Sequence, residues 1–156
     1  MTPQQGMRPI TGESPLERQL WLYRELYSLP CHLSDARIIL STSDVSALTA
    51  PSGLASLVDD ELFWSKRVTP ILDAGSDDLI ILAAPTPIDL ARYASELGRR
   101  AQCEFLPPAT QIILPTYPRP FPRWFRYPHC ETLQPLSAVL RAIRIVLRDV
   151  PRTYPT

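Results

Sequence analysis

Fifteen residues from Pro115 to His129 hold five prolines, five aromatic side chains and three arginines, with no acid among them. Proline lacks an N–H and fixes φ, which keeps such a run out of helix interiors and central strands. It reads as an extended, polyproline-like segment. Its chemistry is recognition. Tyr117, Phe121, Trp124, Phe125 and Tyr127 offer flat π-faces, and Arg119, Arg123 and Arg126 offer guanidinium forks, the groups enriched at binding hot spots. Farther along, Arg141, Arg144 and Arg148 recur at spacings of three and four residues, which puts them on one stripe of a helix. Leu136, Leu140, Ile143 and Leu147 form that helix's apolar face. Arginine grips phosphates bidentately and aromatic rings stack on bases, so single-stranded RNA or DNA is one coherent partner. An aromatic segment beside a basic amphipathic helix also suits a protein groove or a membrane surface. The plain structural alternative is a core helix with a solvated arginine face and a proline loop packed over a sheet edge. Among partners, protein ranks first, RNA second and membrane last.

Two adjacent pairs, Cys31-His32 and His129-Cys130, carry four zinc-capable ligands. Structural zinc sites space ligands by about two to four residues, and neighbours on an extended chain point in opposite directions. No metal site is read here, and no cofactor is expected. Neither pair comes with a group to orient a base or build an oxyanion hole, which argues against a cysteine nucleophile. Cys103 reads as a small buried hydrophobe. A third chemistry lies at strand ends, where open α/β sheets bind ligands. Ser41-Thr-Ser-Asp44, Pro85-Thr86 and Thr116 fall there, and an enzymatic reading would rest on Asp44. Nucleotide, nucleophile-elbow and HExxH motifs are missing, and Ser, Thr or Asp at such junctions is ordinarily a helix N-cap.

The elements that must position these groups follow from period and punctuation. Ser14-Pro-Leu-Glu17 is a capping box with proline at the first helical position. Leu16, Leu20, Tyr23 and Tyr27 then form one stripe of a helix that ends near Pro30. Ala36–Thr42, Leu79–Ala84 and Gln111–Leu114 read as strands, with a Ser/Thr/Ala/Pro-rich connection between Thr42 and Gly53. Residues 59–72 read as a helix interrupted near Pro70, which places Asp59-Asp60-Glu61 at its positive N-terminus. Asp77-Asp78 reads as a turn. Thr86–Asp89 caps a helix to Gln102, and Gln134–Val150 is the last helix. Trp21 and Trp64 are expected in the core. Alternation of helices with apolar strands predicts an α/β fold with a small, mostly parallel sheet of about three strands flanked by about four helices. Residues 1–13 read as a flexible tail, 14–150 as one domain carrying a Pro/aromatic/Arg loop at 115–133, and 151–156 as a second tail.

Composition bounds the reading. A chain of 156 residues, 45% apolar and 21% charged, suits one soluble globular domain. Its 18 prolines are more than twice the usual level of about 5%. Net charge is zero, yet residues 1–102 hold nine basic and thirteen acidic side chains, while 103–156 hold seven arginines and three acids. An acidic body therefore carries a basic C-terminal third. Three cysteines without CxxC spacing point to a reducing, cytoplasmic compartment. No apolar run approaches the roughly 18–20 residues that span a bilayer, and no secretory h-region is visible. One lysine, no asparagine and five glycines suggest a compact gene of unusual base composition. These features together predict a non-enzymatic binding protein, of a viral accessory or assembly-subunit kind. It would dock a partner, protein in first place, through the proline–aromatic segment and the basic helix. The alternatives are a single-stranded RNA-binding protein using the same surface, or a small enzyme with a polar-ligand site at the strand ends.

Overall fold

Leu79-Ile-Ile-Leu-Ala83 is apolar at every position, and a strand sends successive side chains to opposite faces. Both faces of the sheet that contains it must therefore be covered. A computed structural model describes residues 14–85, 90–129 and 133–149 and shows how this is done. The described strands are β1 (Cys31–Ser34), β2 (Arg37–Ser41), β3 (Ser46–Pro51), β4 (Ile71–Asp73), β5 (Asp78–Ala83), β6 (Glu104–Phe105), β7 (Gln111–Ile113) and β8 (Arg123–Arg126). The helices are α1 (Pro15–Trp21), continued by a π-helical turn at Leu22–Leu26, then α2 (Ser52–Trp64), α3 (Leu90–Ala101) and α4 (Leu136–Asp149).

β6-β3-β5-β4-β8 form a five-stranded sheet and β1-β2-β7 a three-stranded one. Every described strand pairing is antiparallel. The expectation of a small, mostly parallel sheet of about three strands is thus overturned. The apolar run of β5 correctly signals cover on both faces, a condition that parallel sheets usually meet with two helical layers. Here a second sheet supplies one of the covers. Leu48, Ala50, Ile71, Leu79, Ile81 and Ala83 face a core with α2, α3 and α4. Their strand neighbours Ala47, Leu72, Ile80 and Leu82 face a second core with Ile38, Leu40, Ile112, Leu114 and Tyr23. The molecule is layered helices, sheet, sheet. Each side chain as large as Ile81 or Leu82, fully buried, contributes about 1.5–3 kcal/mol.

Local chemistry sets the ends of the elements. At α1, the Ser14 hydroxyl accepts from Glu17 N at 3.0 Å and the Glu17 carboxylate accepts from Ser14 N at 3.1 Å, the expected capping box. The helix does not run on regularly to Pro30. It widens into the π-helical turn, after which Leu29 N donates to Tyr23 O at 2.9 Å. β1 and β2 form a hairpin with Asp35 and Ala36 both at positive φ, a two-residue turn of the primed kind.

Two other expectations are corrected. β3 lies in what reads as a connection, because Ser46, Ala47, Thr49, Ala50 and Pro51 carry little apolar signal. Pairing with β5 along all six residues makes it a strand. The helix read at 59–72 is instead α2, which begins directly after Pro51 and stops at Ser65, with β4 beyond it. Asp59 is consequently mid-helix and buried. The cap expected at Thr86–Asp89, the tails 1–13 and 151–156, and Cys130 lie outside the described residues. No helix among the described residues is long and apolar enough to cross a membrane.

Candidate functional site

The proline–aromatic segment is not a loop throughout, because Arg123–Arg126 form β8 at the edge of the larger sheet, antiparallel to β4. Its register slips by one residue. Trp124 lies opposite Leu72 and Arg126 opposite Ile71, which leaves Phe125 as the extra residue of a bulge. Leu72 faces the inter-sheet core and Ile71 the helical core. The bulge therefore sends Trp124 and Arg126, two residues apart, to opposite faces of the sheet.

On the inter-sheet face, Trp124 packs edge-on against Tyr23, ring centroids 5.9 Å apart. Its indole Nε1 donates to the Tyr23 hydroxyl at 3.1 Å, and that hydroxyl donates to the Pro115 carbonyl at 2.6 Å. Tyr23 thus ties the π-helical turn to the start of the segment and to β8. Burial pushes its phenol up to about 12. On the helical face, Arg126 meets Asp59 of α2 through two bonds, Nε to Oδ1 at 2.9 Å and Nη2 to Oδ2 at 2.7 Å. Those bonds raise the guanidinium pKa further above its ordinary value. The same guanidinium stands over the Phe63 ring at 5.5 Å.

Arg123 donates to Asp73 Oδ2 at 3.1 Å, while Gly75 N donates to Oδ1 at 2.9 Å. The Gly75 amide first, then Arg123, holds the Asp73 carboxyl below its usual range. Gly75 adopts φ +95, and the Phe121 ring packs over it, so a side chain there would be strained as well as crowded. Arg123 lies over Phe121 at 4.9 Å. Tyr117 N donates to Gln19 Oε1 at 3.2 Å. The Tyr117–Pro118 and Phe121–Pro122 peptides are cis.

Anchored in this way, the segment presents aromatic rings to solvent. Tyr117 is 82% and Tyr127 68% exposed, and Phe121 and Phe125 are exposed as well. A groove of about 330 Å³ runs between the segment and the N-terminal helix, walled by Tyr23, Tyr27, Tyr117, Pro122, Trp124 and Tyr127, with Arg119 and Arg123 and no carboxylate among the described lining residues. Across the strand, Phe63, Trp64, Val68 and His129 line a second groove of about 450 Å³. β8 is short, bulged, bounded by Pro122 and Pro128 and ended by arginines, features that blunt strand addition at an edge.

Arg141, Arg144 and Arg148 are exposed along α4 as the spacing predicts, but they do not join the segment. α2 stands between them: Asp59 and Phe63 meet Arg126, whereas Glu61 and Ser65 share a groove with Arg141. The α4 arginines line a separate groove with Tyr93 of α3.

Other sequence candidates fall elsewhere. Cys31 is buried on β1 while His32 is exposed. Burial pushes the Cys31 thiol up to about 11 and the Cys103 thiol to about 12, far from thiolate chemistry at neutral pH. Asp44 sits in the β2–β3 turn, its N–H donating to Ser41 O. Thr116 is buried. With the sheet antiparallel, the strand ends do not share the common carboxyl-end crevice on which a parallel-sheet site depends.

Several participants were not legible as such. Trp64, expected in the core, is 82% exposed, and Trp21 is exposed too. Leu54, Ala55, Val58, Asp59 and Leu62 form the buried face of α2, and Trp64, two residues past Leu62, falls on the opposite side. That is the signal that could have placed Trp64 at the surface, whereas Phe63, one turn beyond Asp59, carries no such signal. Nothing local marks Asp59 as the partner of Arg126. Comparison with protein-family models, with curated proteins and with solved structures finds no match for this chain.

Proposed function

We propose that this protein is a non-enzymatic binding protein that docks a protein partner on the aromatic surface of residues 117–127. The observation that carries this reading is a contrast within one short segment. Trp124, Arg123 and Arg126 are held by Tyr23, Asp73 and Asp59, while Tyr117, Phe121, Phe125 and Tyr127 between and around them stay exposed. Aromatic rings on a pre-ordered scaffold bury large areas at small entropic cost, which is what a protein hot spot needs. Two of the segment's three arginines already hold carboxylates. That favours a protein over a nucleic acid at this surface, with Arg119 and the acid-free groove suited to an acidic side chain on the partner.

The test is affinity purification of the wild type and of a Tyr117→Ala/Phe125→Ala/Tyr127→Ala variant, each with and without nuclease, followed by mass spectrometry. A protein captured in stoichiometric amount, insensitive to nuclease and lost with the variant, supports the reading. Capture that survives the triple substitution, or that vanishes with nuclease, removes it.

A further inference from the structure

Two groups stand out among the described arginines. Arg100, Arg123 and Arg126 each lie against a carboxylate, of Glu96, Asp73 and Asp59 respectively. Arg141, Arg144 and Arg148 have no carboxylate partner among the described residues, although they crowd one stripe of one helix. Together with Tyr93, Leu140 and Ile145 they line a groove of about 410 Å³ between α3 and α4 with no acid among its described lining residues. Like charges held this close repel, so the arrangement is relieved by an anion laid along it. At about 1.5 Å of rise per residue, Arg148 stands about 10 Å along the helix from Arg141. That is too long for a single phosphate group and suits a chain of them. Tyr93 packs partly against the helical core and keeps part of its ring in the groove. A basic track beside an aromatic ring is the arrangement that binds single strands, phosphates on the arginines and a base on the ring.

We propose that the α3–α4 groove binds single-stranded nucleic acid, with Arg141, Arg144 and Arg148 on successive phosphates and Tyr93 beneath a base. The site is separate from the aromatic docking surface, from which α2 divides it, and stands whether or not that surface binds a protein.

Fluorescence anisotropy with a labelled oligouridine and a labelled oligothymidine, each of about 12 nucleotides, tests it on the full chain. Three phosphate contacts predict a log–log salt slope near −2, so affinity falls about 20-fold between roughly 50 and 200 mM salt. Arg141→Gln/Arg144→Gln/Arg148→Gln weakens binding by more than about tenfold, and Arg144→Gln alone lowers the slope by about 0.7. Arg18→Gln/Arg24→Gln/Arg37→Gln makes the same change in net charge in the opposite layer and leaves affinity within about twofold. Tyr93→Phe retains binding, while Tyr93→Leu loses about fivefold or more. The stronger of the two oligonucleotides identifies RNA or DNA as the ligand. No binding of either by the wild type, equal loss in the two triple variants, or competition by polyglutamate as effective as by unlabelled oligonucleotide overturns the proposal.

Discussion

Arg126 and Asp59, 67 residues apart in the chain, close a bidentate pair at 2.9 and 2.7 Å that joins the edge strand to the middle of α2. Asp59 is only 6% exposed, whereas about a third of the Arg126 side chain reaches solvent. The two partners are therefore not equivalent. Arg126→Ala strands a buried carboxylate and should destabilise by about 2–4 kcal/mol, somewhat less than for a wholly buried pair. Asp59→Asn keeps an acceptor for a guanidinium that can still reach water, and should lose about 1–2 kcal/mol. Urea midpoints at constant m-value give both; the reverse order would show that the charge on Asp59 is not what the pair protects.

Deleting Phe125 removes the bulge. The shortened strand alternates regularly, so Trp124 and Arg126, now adjacent and still opposite Leu72 and Ile71, keep to opposite faces and the guanidinium stays on the Asp59 side. The deletion should therefore cost less than Arg126→Ala, and Phe125→Ala, at an exposed position, should stay within about 0.5 kcal/mol. A deletion as costly as Arg126→Ala would show that the bulge itself, and not the alternation of faces, holds Arg126 at Asp59.

Tyr23→Phe removes the hydroxyl that serves both Pro115 O and Trp124 Nε1, and should lose about 1–3 kcal/mol with a red-shift in tryptophan emission. The raised phenol has a pH signature. Because the folded state holds the proton more tightly than the unfolded one, this contribution is complete below about pH 10 and fades as pH rises toward about 12. Stability-versus-pH curves of wild type and Tyr23→Phe should converge over that interval.

Asp73 behaves in the opposite sense. Its carboxyl is held low by the Gly75 amide and Arg123, so the unfolded chain binds the proton first. Its contribution is present above the ordinary aspartate value of about 3.9 and is lost as pH falls below it. Asp73→Asn should flatten the acid limb of the stability curve below about pH 4 and leave the neutral region parallel to wild type.

Cys31 and Cys103, with thiols raised to about 11 and 12 by burial, should resist iodoacetamide in the native protein at about pH 8 and react once denaturant exposes them. Peptide mass spectrometry reads each site separately. Rapid native labelling of Cys31 would mean that the inter-sheet core opens far more readily than its packing implies.

How legible each feature was depended on the range over which its cause acts. The Ser14–Glu17 capping box, the apolar β5, the strands at β2 and β7 and the arginine stripe of α4 are local patterns, and they stand where the residues place them. β3 was hidden because small residues suffice where two layers press on a central strand. β8 was hidden because proline-rich sequence argues against pairing, yet an edge strand needs bonds on one side only.

Residue order alone settled the outer surface of α4, the aromatic and guanidinium composition of Tyr117 to Tyr127, and the need for cover on both faces of β5. Those follow from periodicity, side-chain type and the geometry of proline. Only the tertiary structure decided that the cover on one face is a second antiparallel sheet, and that Phe125 bulges so Trp124 and Arg126 part. It alone assigned Arg123 and Arg126 to carboxylates 50 and 67 residues away while giving the α4 arginines no carboxylate among the described residues. Such pairings arise when distant strands and helices meet, and no spacing within the chain encodes which carboxylate a guanidinium will find.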